Sequence, residues 1–199
     1  MALPLNAKAL GISKWITITD ANGKIVEARP PASLDLVSNV YGEFYWAYEI
    51  QGKQHTFPLT FTLDAVSADI PEAAIEFEFD TGANPKVGQV WNPNKELEIA
   101  GYAIKVVSIE RLEKGYSFIF KADTDVIGVS VEINDVPFSS SSAGNDGYGM
   151  GNLFCIVEYS GDVPSGKVKI QLNWLQAEIH GPWQVQWSPG NYSLSTPEK

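Results

Sequence analysis

His55 and His180 are the two imidazoles of this 199-residue chain. Neither sits in a metal spacing such as HExxH, where two imidazoles one helical turn apart share a zinc ion. Each falls on a strand or a strand end, and a half-buried or exposed structural histidine is the reading the pattern favours. Composition leaves a Ser-His-Asp triad open, but no GxSxG elbow is present to suggest one. Carboxylates are abundant, and glycoside hydrolysis needs only two of them across a cleft. Yet Glu76 and Glu78, and again Glu96 and Glu98, alternate with apolar residues and so point to solvent. Glu43 and Glu49 frame an aromatic segment instead. Asp123 and Asp125, with Asp135, Asn145 and Asp146 on other loops, carry oxygens of the kind calcium takes. The EF-hand spacing is missing, and aspartate is an ordinary turn residue. No catalytic, cofactor-binding or metal-binding residue is assigned, and the chain is expected not to be an enzyme.

Recognition is a better match to the residue types. Trp174, Trp183 and Trp187, with Trp91, can form a platform on which the apolar faces of sugars stack. The competing reading places Trp183 and Trp187 on a core face, and their strand phase favours it. A second candidate is the stretch Asp135–Asn152, DVPFSSSSAGNDGYGMGN, read as a long mobile loop. Asn145, Asp146 and Tyr148 are its candidate ligand or interaction residues. Gly147, Gly149 and Gly151 in the same loop precede no helix, so they do not form a phosphate cradle.

The formal net charge is −10, and no basic run occurs. A nucleic-acid partner, which needs clustered Lys and Arg, is excluded on that pattern. Hydrophobic residues make up 44% of the chain and aromatics 12%, enough for packed cores. Cys155, the one cysteine, lies in LFCIVEY in phase with Leu153, Val157 and Tyr159, as a small buried hydrophobe does. No apolar run reaches the length of a membrane helix, and the first residues lack a secretion-signal pattern.

The elements that must position these residues are strands. WITITD and KIVEA flank Ala21-Asn22-Gly23, a strong hairpin signal. Further strands are expected at Glu43–Gln51, His55–Leu63, Ala73–Asp80, Glu96–Ile99, Ala103–Leu112, Tyr116–Lys121, Val126–Ile133, Leu153–Tyr159, Lys167–Leu172 and onward, and Trp183–Trp187. Thr81–Pro93, rich in Gly, Pro and Asn, is the linker candidate.

Two segments share one pattern. Phe61, Leu63, Val66, Ala68 and Ile70 match Ile170, Leu172, Leu175, Ala177 and Ile179; after one deleted residue, Ile75, Phe77 and Phe79 match Trp183, Val185 and Trp187. In both segments the apolar phase switches parity, between Leu63 and Val66 and between Trp174 and Leu175. A strand alternates with period two, so such a switch requires an extra residue. The repeat predicts an all-β chain of two tandem immunoglobulin-like sandwich units, 10–82 and 83–189, with a polar tail at 190–199. The first unit has too few strands and is read as either shorter by design or cut at its N-terminus; a cut sandwich exposes strand edges, which predicts edge pairing or homodimerisation through the first half.

The run VGQVWNPNKELEIAGYAIKVVSIERLEKGYSFIF, with HGPWQVQW near the end, resembles the β-sandwich ectodomains of bacterial membrane-anchored proteins, some of which follow anti-sigma-factor regions. The resemblance spans residues 57–189. It implies an extracytoplasmic or cell-surface fragment with a binding, sensing or scaffolding role, a protein or glycan partner, no cofactor and no catalytic residues. A carbohydrate-binding module is the alternative, and a carboxylate-dependent hydrolase a more distant one.

Overall fold

The computed structural model describes residues 7–12, 15–29, 47–52, 55–145 and 152–190. These residues are all-β. Their strands are β1 (Lys8–Ile12), β2 (Thr17–Thr19), β3 (Ala28–Arg29), β4 (Glu49–Ile50), β5 (Leu59–Asp80), β6 (Val90–Trp91), β7 (Lys95–Ile99), β8 (Tyr102–Arg111), β9 (Gly115–Ala122), β10 (Val126–Ile133), β11 (Ser140–Asn145), β12 (Asn152–Glu158) and β13 (Lys167–Trp187). Among the described residues no helix is long and apolar enough to cross a membrane. The chain divides into two compact units that are not consecutive in sequence. The described residues of one fall in 11–66 and 180–190, and those of the other in 7–10 and 67–179. The division therefore differs from the expected boundary at 82/83. The chain leaves the first unit within β5 and re-enters it within β13.

β5 and β13 are the two segments of shared pattern, and they are neighbours in one sheet. Two strands that border the same faces must alternate alike, so their likeness has a source in the sheet itself. The predicted parity switches are present. In β5, Ala65 and Val66 are buried in succession. In β13, the register to β10 pairs Gly128 with Gln176 and Ser130 with Asn173, so Trp174 and Leu175 together oppose Val129. That is a β-bulge, and Trp174 takes φ 50 at the extra position. The bulge re-aims Trp174 to solvent while Leu175 stays in the core, which corrects the expectation that Trp174 shares the inward phase.

The 67–179 unit packs two sheets across one core. β5, β13 and β10 form one sheet; the other runs β11-β12-β9-β8, with β6 and β7 both paired to β8. On β9, Tyr116, Phe118 and Phe120 alternate with Ser117, Ile119 and Lys121, so three rings point the same way, and all three are fully buried. Phe118 and Phe120 stack with centroids 6.1 Å apart, and the aromatic row continues through Tyr116 and Trp91 to Phe79. Each such ring contributes about 1.5–3 kcal/mol by leaving water. Leu153, Cys155, Val157 and Tyr159 close the core from β12 and the residue after it.

Two expected loops are structured differently. Thr81–Pro93 lies inside this unit rather than between domains. Thr81 N–H donates to the Gly166 carbonyl at 2.9 Å, Gly88 and Gln89 bond the Arg111 backbone, and Trp91 packs on Phe79 and Tyr116. The serine run of the expected mobile loop is β11, paired residue by residue with β12 from Ser140↔Glu158 to Asn145↔Leu153. Backbone pairing alone specifies an exposed strand of this kind, so no apolar alternation announces it. β13 is also continuous where one strand from Lys167–Leu172 onward and a second at Trp183–Trp187 were expected.

In the other unit the Asn22-Gly23 hairpin forms as predicted. Gly23 takes φ 76, Thr19 bridges Ile25, and the Asp20 carboxylate accepts from the N–H groups of Asn22 and Lys24. β2 pairs with β5 through Ile18↔Phe61. β3 pairs with β4, where Arg29 and Glu49 form an ion pair at 2.9 Å. Ile18, Val26 and Leu59 are its buried core among the described residues.

Candidate functional site

The residues singled out for chemistry are occupied structurally. His55 Nε2 lies 2.8 Å from the Gln51 carbonyl, closing the turn after β4. His180 is exposed on β13. Glu76 and Asp135 both pair with Lys169, at 3.3 and 3.2 Å, and hydrogen bonds to the two carboxylates, Asp135 foremost, raise the Lys169 pKa. Glu49 is held by Arg29, while Glu43 lies outside the described residues. The Asp123 carboxylate accepts from the Ala103 N–H at 2.8 Å. Among the described residues no three His, Cys, Asp or Glu side chains converge to hold a metal ion. Cys155 is buried in the core, as its phase predicts, and burial pushes its thiol up to about 11.

Asn145 is the exposed last residue of β11. Asp146 and Tyr148, its companions in the proposed interaction loop, lie outside the described residues. The four tryptophans of the expected platform are divided between the two units. Trp91 is packed within the aromatic row of the 67–179 unit, and Trp174 belongs to that unit as well. Trp183 and Trp187 belong to the other.

In that other unit the end of β13 forms the wall of an apolar groove of about 780 Å³. Gln184 Nε2 donates to Thr62 Oγ1 at 3.2 Å, which places those two side chains on one face of the sheet. Alternation then puts Trp183, Val185 and Trp187 on the opposite face, with Phe61 and Leu63 of β5. Tyr48 and Ile50, with Ala47, line the groove from the β4 segment, and Ile16 from the residues before β2. Gln184 and Gln186 border it at the same strand end, with the Gln184 carboxamide turned to Thr62 on the other face. The sequence phase of Trp183 and Trp187 was therefore right, but the expected core burial of Trp187 is not found. Trp187 is 46% exposed and Val185 is 62% exposed, and neither belongs to the Ile18, Val26 and Leu59 cluster of this unit. Burial raises the Tyr48 phenol above its ordinary pKa, so it stays protonated and can donate a hydrogen bond.

The groove has the size of a small-molecule or short-polymer site, which runs roughly 300–1,000 Å³. Sequence reasoning found its tryptophans but not Tyr48, Phe61, Leu63 or the glutamines. The QVQ alternation between Trp183 and Trp187 was the available signal for the glutamines; the convergence of β4 on β5 and β13 had none. Comparison with protein-family models, with curated proteins and with solved structures finds no match.

Proposed function

We propose that this chain is a non-catalytic binding module whose ligand site is the aromatic groove formed by β13, β5 and the β4 segment. One observation carries the reading: Trp187 and Val185 stand half-exposed or more on the face that should be the inside of their sheet. Large apolar side chains left in water around a concavity mark interaction sites more often than cores. The polar side chain lining it is the Tyr48 phenol, kept protonated, which gives a hydrogen bond and orientation rather than proton transfer near neutral pH. An extracytoplasmic setting agrees with the resemblance of residues 57–189 to bacterial membrane-anchored ectodomains.

Titration of an apolar fluorescent dye, 1-anilinonaphthalene-8-sulfonate, tests the reading. Saturable binding at one site is expected, lost on Trp187→Ala and on Phe61→Ala. Absence of saturable binding, or binding untouched by both substitutions, would refute it.

A further inference from the structure

We infer that the outer edge of β11 is a self-association surface, on which a second copy of this chain adds its own β11 antiparallel across a twofold axis. The inference stands apart from the groove, since β11 belongs to the 67–179 unit.

β11 ends the sheet order β11-β12-β9-β8, and β12 is the one strand bonded to it among the described residues. Between Ser140 and Gly144, alternate residues turn N–H and C=O away from β12, toward the place of a next strand. Side chains leave this edge open. Ser141 and Ala143 lie opposite the buried Val157 and Cys155 and share their face, yet both are exposed, so the core stops at β12. Serine, alanine and glycine fit strands poorly, so β11 stays extended through backbone pairing. A further strand on its outer side supplies pairing that its side chains do not. On the opposite face an apolar row reaches the edge. Ile119, 40% exposed, pairs with Phe154, and Phe154 with Gly144. A Cβ on Gly144 would lie 3.2 Å from two carbons of the Phe154 ring, so that ring lies across β11. It offers an apolar anchor to the strand that adds there.

Charge selects both the edge and its occupant. Other terminal strands carry the charges that deter pairing: Lys8 on β1, Lys95, Glu96 and Glu98 on β7, and Glu132 on β10. β2 is already bonded on its far side, where the Ile18 carbonyl accepts from the Val26 N–H. β11 has no charged residue and no proline. A chain of net charge −10 repels its own copies, and this edge lets two of them meet without opposing charges. An axis through Ser142 sets that residue against its own copy, Ser141 against Ala143, and Ser140 against Gly144, with directly opposed side chains on one face. Glu158 is held by Ser140 Oγ at 2.9 Å, at the start of the strand. Antiparallel pairing keeps its two copies roughly 13 Å or more apart, beyond the ~8 Å screening length of physiological salt. A foreign peptide strand is selected by side-chain pockets, and this row of small residues offers none. A second copy needs only the backbone and its own small side chains.

The test is sedimentation equilibrium of the full chain from about 1 to 300 µM, since a contact this small is expected to dissociate on the order of 10 µM. A monomer–dimer equilibrium is expected and nothing larger, because a twofold contact closes on itself. Ser142→Lys and Ser142→Glu each oppose like charges across the axis and should weaken dimerisation about fivefold or more. Mixing the two variants should restore the dimer, because Lys then meets Glu. Asn92→Lys, an equal charge change away from β11, should leave association unchanged. Ser142 is exposed, so these variants should fold, which circular dichroism checks. A nitroxide on Ser142→Cys in a Cys155→Ala background gives an independent reading by double electron–electron resonance, with a label pair within about 20 Å expected. A monomer at every concentration overturns the inference. So does a dimer indifferent to charge at Ser142, a dimer not restored by mixing, an open-ended polymer, or a label pair far beyond that distance. A dimer dissociated by Trp187→Ala and not by the Ser142 variants also overturns it, and gives the groove to a second copy.

Discussion

The Trp187 ring stands edge-on to Phe57, with centroids 5.8 Å apart and planes at 72°. Both residues are more than 40% exposed, so the pair is not sealed in a core. An edge-to-face pair contributes about 0.5–1.5 kcal/mol beyond its buried area. Trp187→Ala should therefore lower unfolding free energy in urea by no more than about 2 kcal/mol while abolishing dye binding. A loss several times larger would show that Trp187 is a core residue.

Gly115 begins β9 directly opposite Glu158 of β12. A Cβ built on it would lie 1.8 Å from the Val157 carbonyl oxygen, a backbone atom that cannot rotate away. Gly115→Ala should cost about 3 kcal/mol or prevent folding, because the two strands must separate. Gly161, whose added Cβ would meet nothing within 4 Å, is the matched control, and Gly161→Ala should change stability by about 0.5 kcal/mol or less. Paired urea melts decide it.

At the bulge in β13 the left-handed φ of Trp174 is a conformation that costs a non-glycine residue about 1–2 kcal/mol. Its indole is 51% exposed, so little burial is lost when it is removed. Trp174→Gly is expected to leave stability unchanged or raise it by about 1 kcal/mol, whereas Leu175→Ala, one residue on and fully buried, should cost about 2–5 kcal/mol. Equal losses at the two positions would contradict the bulge.

Alkaline pH should unfold the 67–179 unit through its core. Burial pushes Cys155 from 9.0 to about 11 and Tyr159 from 10.0 to about 12. Between pH 9 and 12 the folded state holds protons that the unfolded chain has released, so stability is full below pH 9 and falls as pH rises through that window. Cys155 alone accounts for about 2–3 kcal/mol, because each tenfold change in its acidity is worth roughly 1.4 kcal/mol. Urea midpoints measured from pH 8 to 12 should decline, and Cys155→Ala should flatten the part between 9 and 11. An identical slope in the variant would exclude the thiol as the cause.

How far the sequence reveals this structure depends on where burial is one-sided. β10 matches its expected bounds, Val126–Ile133, because Val129, Val131 and Ile133 face a core that their own sandwich completes. The parity switches pointed to the bulge at Trp174 and to the Ala65-Val66 step. β11 was hidden because Ser140, Ser141 and Ser142 carry no apolar face and are held by backbone bonds to β12. β13 looked like two strands because the bulge and the Gly181-Pro182 step interrupt its alternation. The unit boundaries were hidden because each unit draws on distant parts of the chain, which a linear scan for linkers cannot join. At the groove the phase of Trp183, Val185 and Trp187 was legible, but phase tells which way a side chain points and not whether anything covers it.

The central claim is that Trp183 and Trp187 form the contact surface of a ligand site. Indole N–H resonances of the six tryptophans, assigned by substitution and followed by proton–nitrogen correlation spectra during titration with 1-anilinonaphthalene-8-sulfonate, test this directly. The predicted result is a saturable shift of the Trp183 and Trp187 signals with those of Trp91 and Trp174 unmoved. Shifts confined to Trp174 or Trp91, or none anywhere, would contradict it.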